Sequence, residues 1–167
     1  MINPESVTYE ELKKRVNFTI FQFYGAVYRG EMVGERRQGF GVMIYDSGRI
    51  YEGNWDKDQR HGYGYELYTN KNVYNGNFKH GKANGQGKMY IHLTGETYDG
   101  EWFNGYKCGH GVWYNDLGDR YEGDWKANKA HGHGVHVWKS GDKYVGKWFE
   151  FMKHGFGEDT FANGDKY

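Results

Sequence analysis

The chain repeats itself about every 23 residues, and no other property of the sequence restricts its fold as strongly. A Tyr-x-Gly-x-aromatic pattern recurs as Tyr51-Gly53-Trp55, Tyr74-Gly76-Phe78, Tyr98-Gly100-Trp102, Tyr121-Gly123-Trp125 and Tyr144-Gly146-Trp148. Tyr28-Gly30-Met32 is a weaker first copy. Successive tyrosines stand 23, 23, 24, 23 and 23 residues apart, and Tyr167 lies another 23 on. Eleven residues after each of the first six comes Gly-x-Gly, from Gly39/Gly41 to Gly155/Gly157, and a third glycine ends most units, as at Gly48 and Gly164. These phases hold 24 of the 27 glycines, so the units are 28–50, 51–73, 74–97, 98–120, 121–143 and 144–166.

Each unit reads as a β-hairpin. In Arg49–Trp55 the residues Tyr51, Gly53 and Trp55 alternate with Glu52 and Asn54, and a second strand over His61–Tyr68 sets Gly62, Gly64 and Glu66 against Tyr63, Tyr65 and Leu67. Ser47-Gly48, Asn163-Gly164 and their equivalents supply the turns between units. Glycine weakens a strand, so a regular row of it needs a reason. The reason expected here is room for a neighbouring Tyr or Trp ring to lie flat on the backbone. The extra residue of the third unit falls near Ile91-His92-Leu93-Thr94, which is expected to be a loop. The second unit has Asn70-Lys71-Asn72 in place of a turn glycine, and asparagine is expected to carry the strained conformation. The fold class expected is all-β: an elongated single-layer antiparallel sheet of tandem hairpins. Six units at two strands each would extend roughly 58 Å.

Residues 1–27 differ from the rest. Thr8-x-x-Glu11 has the form of a capping box, and Tyr9, Leu12 and Val16 share a helical face, so a short helix is expected there. Phe18–Tyr24 then matches the second strand of a unit without its Gly-x-Gly. Residues 1–27 are therefore expected to cap the first edge of the array. Tyr167 is the first residue of a seventh pattern, from which a continuation of the natural chain, or a molecule covering that edge, is expected.

Charge and composition exclude several function classes. Twenty-two Lys and Arg balance 22 Asp and Glu, leaving no excess of positive charge for a nucleic-acid surface. A lipid headgroup surface would want a basic cluster, and Lys139, Lys143, Lys147 and Lys153 are interrupted by Asp142 and Glu150, so direct lipid binding is disfavoured. No apolar run approaches the ~18 residues of a membrane span. Cys108 is the single cysteine and excludes an internal disulfide, consistent with a reducing, cytoplasmic location.

Little in the chain reads as catalytic. The Gly-x-Gly pairs lack the third glycine of a dinucleotide loop and lie in strands, away from any helix N-terminus. His131 and His133 share a strand face, but the equivalent His110 is two strands away, too far for a shared metal ion, so His61, His131 and His154 are expected to donate hydrogen bonds between units. Ser6, Ser47 and Ser140 have no nucleophile-elbow context, and Cys108 near His110 occupies a slot filled by histidine elsewhere. Glu52, Glu101, Glu122 and Asp124 are expected on a solvated face. Neither enzyme activity, nor a cofactor, nor a metal is expected.

The aromatics divide by face. Tyr51, Trp55, Tyr74, Phe78, Tyr98, Trp102, Tyr121, Trp125, Tyr144 and Trp148 form a structural ladder on the glycine face. Trp113 stands outside it, aligned with Met43, Glu66, Met89 and His136. On the opposite face nothing in the chain covers Tyr63, Tyr65, Leu67, Tyr90, His110, Tyr114, His133 and Val137, and these are the candidate protein-binding residues. Which face is concave does not follow from twist alone.

The stretches Tyr51-Glu-Gly-Asn-Trp55 with His61-Gly-Tyr-Gly64, and Tyr121-Glu-Gly-Asp-Trp125 with His131-Gly-His-Gly134, resemble the MORN repeat, and the resemblance covers residues 28–167. The first and sixth units depart from the pattern with Met32 and with Glu158-Asp159. The resemblance implies a non-catalytic scaffold that docks a helix or extended peptide of a protein partner, in a cytoskeletal or ciliary assembly. Its alternative is a regulatory module of a longer enzyme or of a membrane-associated, phospholipid-binding protein. End-to-end or edge self-association is a further expectation from the uncapped strand.

Overall fold

The computed structural model describes residues 9–15 and 17–167, with the backbone alone at Tyr9. The described residues form thirteen strands, which pair antiparallel with their chain neighbours within each unit, and no helix among them follows Lys13. The chain forms two compact units, the first ending at Ala83 and the second beginning at Asn84. The first holds α1 (Tyr9–Lys13), β1 (Phe18–Phe23), β2 (Ala26–Val33), β3 (Arg36–Tyr45), β4 (Ile50–Asp56), β5 (Gln59–Leu67) and β6 (Val73–Lys79). The boundary falls within β7 (Lys82–Ile91). The second unit continues with β8 (Glu96–Phe103), β9 (Tyr106–Tyr114), β10 (Arg120–Lys126), β11 (Lys129–Val137), β12 (Lys143–Phe149) and β13 (Met152–Thr160). Within α1, Leu12 is buried. The expected cap at Thr8, the side chain of Tyr9 and Val16 lie outside the described residues.

Glycine sets the register. Gly30 faces Gly41, Gly41 faces Gly53, and Gly53 faces Gly64 in the first unit. In the second, Gly87, Gly100, Gly111, Gly123, Gly134, Gly146 and Gly157 face one another in the same way. A row without side chains therefore crosses the strands of each unit, and the tyrosine rings lie on it. Tyr51 covers Gly64, Tyr98 covers Gly111, and Tyr121 covers Gly134, each so closely that a Cβ would overlap the ring. The room expected from the sequence is thus taken by tyrosine.

The turns hold two surprises. Five of the six repeat hairpins close through two residues of left-handed backbone, the signature of a type I′ turn, and in three of them the pair contains no glycine: Lys57-Asp58, Ala127-Asn128 and Glu150-Phe151. Non-glycine residues at positive φ are strained, and a hydrogen bond to the preceding hairpin holds each turn in place. The N–H groups of Asp58, Asn128 and Phe151 donate to the carbonyls of Arg37, Lys107 and Ala130, at 3.1 Å in every case. In the second repeat Lys71, rather than an asparagine, takes the positive φ of 65°, while Asn70 Oδ1 accepts the Asn72 N–H. The extra residue of the third repeat lies in the turn between Ile91 and Glu96, as its spacing implied.

Candidate functional site

The glycine face carries the aromatic ladder. Tyr28, Tyr51, Tyr74, Tyr98, Tyr121 and Tyr144 are buried, and each hydroxyl donates to the carbonyl three residues on, for example Tyr98 to Glu101 at 3.0 Å. Rings meet edge-on along the array. Tyr51 lies 5.0 Å from Trp55 and 5.3 Å from Phe78, and Tyr121 lies 5.3 Å from both Trp125 and Trp148. Trp55, Trp102, Trp125 and Trp148 donate their indole N–H to the carbonyls of Gly41, Gly87, Gly111 and Gly134. Phe78 and Met32 hold the same position without a donor, and both are buried.

A second recurring element lies on these rings. Nine residues after the ladder tyrosine stand Arg37, Arg60, Ala83, Lys107, Ala130 and Lys153. Arg37 lies 4.2 Å over the Trp55 ring, and Arg60 lies 5.8 Å over Tyr51 and 5.3 Å over Phe78. Lys107 lies 4.9 Å over Tyr98 and 5.3 Å over Trp125, and Lys153 lies 4.7 Å over Tyr144. These are cation–π contacts at a repeated address. Carboxylates steady three of the cations: Asp58 bonds Arg37, Asp159 bonds Lys153, and fully buried Glu66 bonds both Arg60 and Arg49. Among the described residues no carboxylate pairs with Lys107, and burial pulls its ammonium pKa down, with the charge of Glu96 opposing.

Ala130 leaves its address empty, and a cavity of about 330 Å³ opens there. Its walls are Tyr121, Trp125, Trp148, Trp113, Phe151 and His136, with Ala130 as floor and Glu96 and Lys107 as charged neighbours. Trp113 Nε1 donates to Glu96 at 3.2 Å, and Phe151 stands edge-on to Trp125 at 6.2 Å. His136 stacks on Trp138 at 4.3 Å, and burial lowers its pKa, which favours the neutral ring. Trp113, Glu66, Lys107 and the Ala130 address escaped sequence reasoning. The aligned column of Arg, Lys and Ala was the signal that would have found the last two.

The opposite face differs between the two units. In the first, Val27, Ile44, Ile50, Leu67 and Val73 face one another across five neighbouring strands, all half-buried. Beside this aliphatic row, Tyr65 and exposed Tyr63 line a depression of about 140 Å³ with Phe40, Glu52 and Asn54. Glu52 is 9 % exposed, which corrects the expectation of a solvated carboxylate: the flanking rings of Phe40, Tyr63 and Tyr65 shield it. In the second unit the face is polar. Lys88 pairs with Asp99, and Glu122 accepts from Arg120 at 2.6 Å and faces His110 at 3.7 Å. His110 and His133 share a depression of about 400 Å³ with Glu122, Asp124, Val135 and Val145. Tyr114 pairs with Thr97 and Arg120, Val137 with Arg120 and Lys143, and Tyr90 with Thr97. The candidate residues thus fall into two groups, Tyr63, Tyr65 and Leu67 in the first unit and the other five in the second.

His61, His131 and His154 make ring contacts where inter-unit hydrogen bonds were expected, His61 with His80 at 6.0 Å, His131 with Phe149 at 5.3 Å and His154 with Phe149 at 5.7 Å. Burial pushes the Cys108 thiol pKa up, with the Glu101 charge adding to it, which favours the protonated thiol. Among the described residues, no three His, Cys, Asp or Glu converge on one point, and no helix is long and apolar enough to cross a membrane.

Comparison with known proteins supports the same reading of the fold. No curated protein sequence matches the chain significantly. Among solved structures, it is similar to the TCP domain of SAS-4 (dCPAP) of Drosophila melanogaster, solved in complex with a proline-rich motif of Ana2 (dSTIL). That similarity has a TM-score of 0.50 at 15% sequence identity, over 77% of this chain and 70% of the other. The family model of the MORN repeat matches at residues 28–48, 51–73, 74–91, 98–116, 121–143 and 144–166, and with six matched copies the chain belongs to the MORN-repeat family.

Proposed function

We propose that the chain is a non-enzymatic protein–protein interaction scaffold, and that it docks a helix or extended peptide of a partner on the face opposite the ladder. One observation carries this reading. Five consecutive strands of the first unit present Val27, Ile44, Ile50, Leu67 and Val73 as a cross-strand aliphatic row, flanked by Tyr63 and Tyr65. A contiguous half-buried apolar row of this kind is what partner helices and extended segments cover. Membership of the MORN-repeat family and the peptide complex formed by a domain of similar fold agree with it. In the second unit Tyr90, His110, Tyr114, His133 and Val137 would supply a more polar docking surface. Residues 1–27, whose strand β1 pairs with β2, would cap the array, and the setting would be a cytoskeletal or ciliary assembly in the cytoplasm.

The test is to identify a partner segment by affinity capture and mass spectrometry, then to measure its affinity for purified variants. Leu67→Glu and Tyr63→Ala/Tyr65→Ala, each first shown to melt like the parent, should lose at least tenfold in affinity. Lys126→Ala, at an exposed position of the second unit, should lose nothing. Unchanged affinity in both face variants would overturn the assignment. Binding to phosphatidylserine vesicles that survives both variants would favour a lipid surface instead.

A further inference from the structure

The cavity over Ala130 occupies an address that a cation fills in four of the other five repeats, Ala83 being the exception. Arg37, Arg60, Lys107 and Lys153 each place a cation on the ring of the ladder tyrosine or of the next ladder aromatic. In the fifth repeat the corresponding rings are Tyr121 and Trp148, 5.3 Å apart and edge-on, and Ala130 cannot reach over them. The residue that packs against this address from the following turn changes with it. Where Asp58 holds Arg37 in place, Phe151 stands beside Ala130, with its N–H on the Ala130 carbonyl at 3.1 Å. The carboxylate partner has become another aromatic wall.

We propose that this cavity receives a weakly hydrated organic cation from outside the chain, the guanidinium of an arginine or the alkylated ammonium of a methylated lysine. Such an ion is drawn to the electron-rich rings of Tyr121, Trp148 and Phe151, and it gives up little hydration on entering. A primary ammonium is a poorer guest, because it is a compact, strongly hydrated charge that loses more on leaving water, and Glu96 is the one carboxylate in the wall to compensate it. Glu96 offers a counter-charge while it accepts from Trp113. The fixed charge of Lys107 does not forbid a second cation. Its ammonium lines the same cavity but sits on Tyr98 and Trp125, which leaves Tyr121 and Trp148 to the guest, and Arg37 and Arg60 occupy successive repeats in the same manner. The site stands independently of the aliphatic row in the first unit.

The protein's own tryptophans report on the cavity, since Trp113, Trp125 and Trp148 line it. Fluorescence would be titrated with N-acetyl-trimethyllysine amide, with N-acetyl-arginine amide and with the uncharged tert-butyl isostere of trimethyllysine. At least one cation should give a saturable change with an affinity about tenfold above the neutral isostere. The two cationic arms decide between guanidinium and alkylammonium. Ala130→Arg restores the repeat's own cation, so it should abolish the response. Glu96→Gln keeps the cavity and removes the counter-charge, so it should weaken both cations and leave the isostere unchanged, and it serves alone should Ala130→Arg fold poorly. Equal affinity for the neutral isostere, no saturable change up to about 100 mM, or full binding by a folded Ala130→Arg protein would each overturn the proposal.

Discussion

Replacing Gly111 by alanine separates strand propensity from the ladder. On propensity alone the change stabilises by roughly 0.4–1 kcal/mol, because alanine has less backbone freedom to lose, and Gly111 is not in the left-handed region. The structure reverses the sign. A Cβ on Gly111 would stand 2.5 Å from the Tyr98 hydroxyl and 2.6 Å from Cε2 and Cζ of the ring, so the ring must retreat about 0.9 Å to reach the 3.4 Å of ordinary contact. It has little space to do so. Tyr98 is 1 % exposed, edge-on to Trp102 at 5.2 Å and to Trp125 at 5.0 Å, and its hydroxyl is bonded to the Glu101 carbonyl. Overpacking costs about 1–3 kcal/mol and the hydrogen bond about 1 kcal/mol more. After the propensity gain, the expected loss is about 1–3.5 kcal/mol. Urea unfolding followed by tryptophan fluorescence would measure it, in the parent and in a Tyr98→Leu background where nothing obstructs the new methyl. The loss should give way to the propensity gain there, a coupling of about 2–4 kcal/mol. A raised midpoint for Gly111→Ala, or the same loss in both backgrounds, would refute the reasoning.

Three further outcomes are expected. Glu66→Gln strands Arg49 and Arg60 and should destabilise by about 2–3 kcal/mol, less than a fully buried triad because both arginines reach solvent; Arg49→Asn/Arg60→Ala/Glu66→Met, which copies Asn72, Ala83 and Met89 of the next repeat, should melt near the parent, and a melting temperature below that of Glu66→Gln would count against the account. Burial raises the phenol pKa of Tyr28, Tyr51, Tyr74, Tyr98 and Tyr121 above the ordinary 10.0, so the folded chain keeps protons that the unfolded chain releases. Stability is then whole below pH 10.0 and falls as pH rises past it; Tyr98→Phe should make the fall shallower in thermal melts, and a flat profile would show that the rings are not shielded. Trp102→Ala, which removes a buried ladder ring and its bond to Gly87, should cost about 3–5 kcal/mol and more than Trp113→Ala at the half-exposed cavity wall, and equal melting temperatures would contradict the ladder.

The period of Tyr, Gly and Trp made the sheet, its hairpins and its glycine row legible, because each of those residues is dictated by one neighbour at a fixed spacing. Tyrosine on glycine is such a pair. What stayed hidden depends on several repeats at once. Lys57-Asp58 and Glu150-Phe151 are not the glycine-containing pairs that announce a I′ turn; the bond from the preceding hairpin holds them there. Glu66 looks like any strand carboxylate until Arg49, from the turn before β4, and Arg60, on its own strand, are seen to converge on it. Glu52 looked solvated because alternation predicts a face, and the rings of Phe40, Tyr63 and Tyr65 on that face shield it. The cavity was the least legible, since it is defined by what Ala130 does not fill.

The indole bonds also give the array a direction. Trp55, Trp102, Trp125 and Trp148 all donate backwards, to Gly41, Gly87, Gly111 and Gly134, which precede them by 14 or 15 residues. During synthesis the acceptor strand has therefore left the ribosome before its donor appears, and each newly exposed tryptophan meets a finished carbonyl. With partners so near in sequence, loop closure is fast and inexpensive at every step. The hairpins are thus suited to fold one after another behind the moving ribosome, each new repeat using the last one as its template.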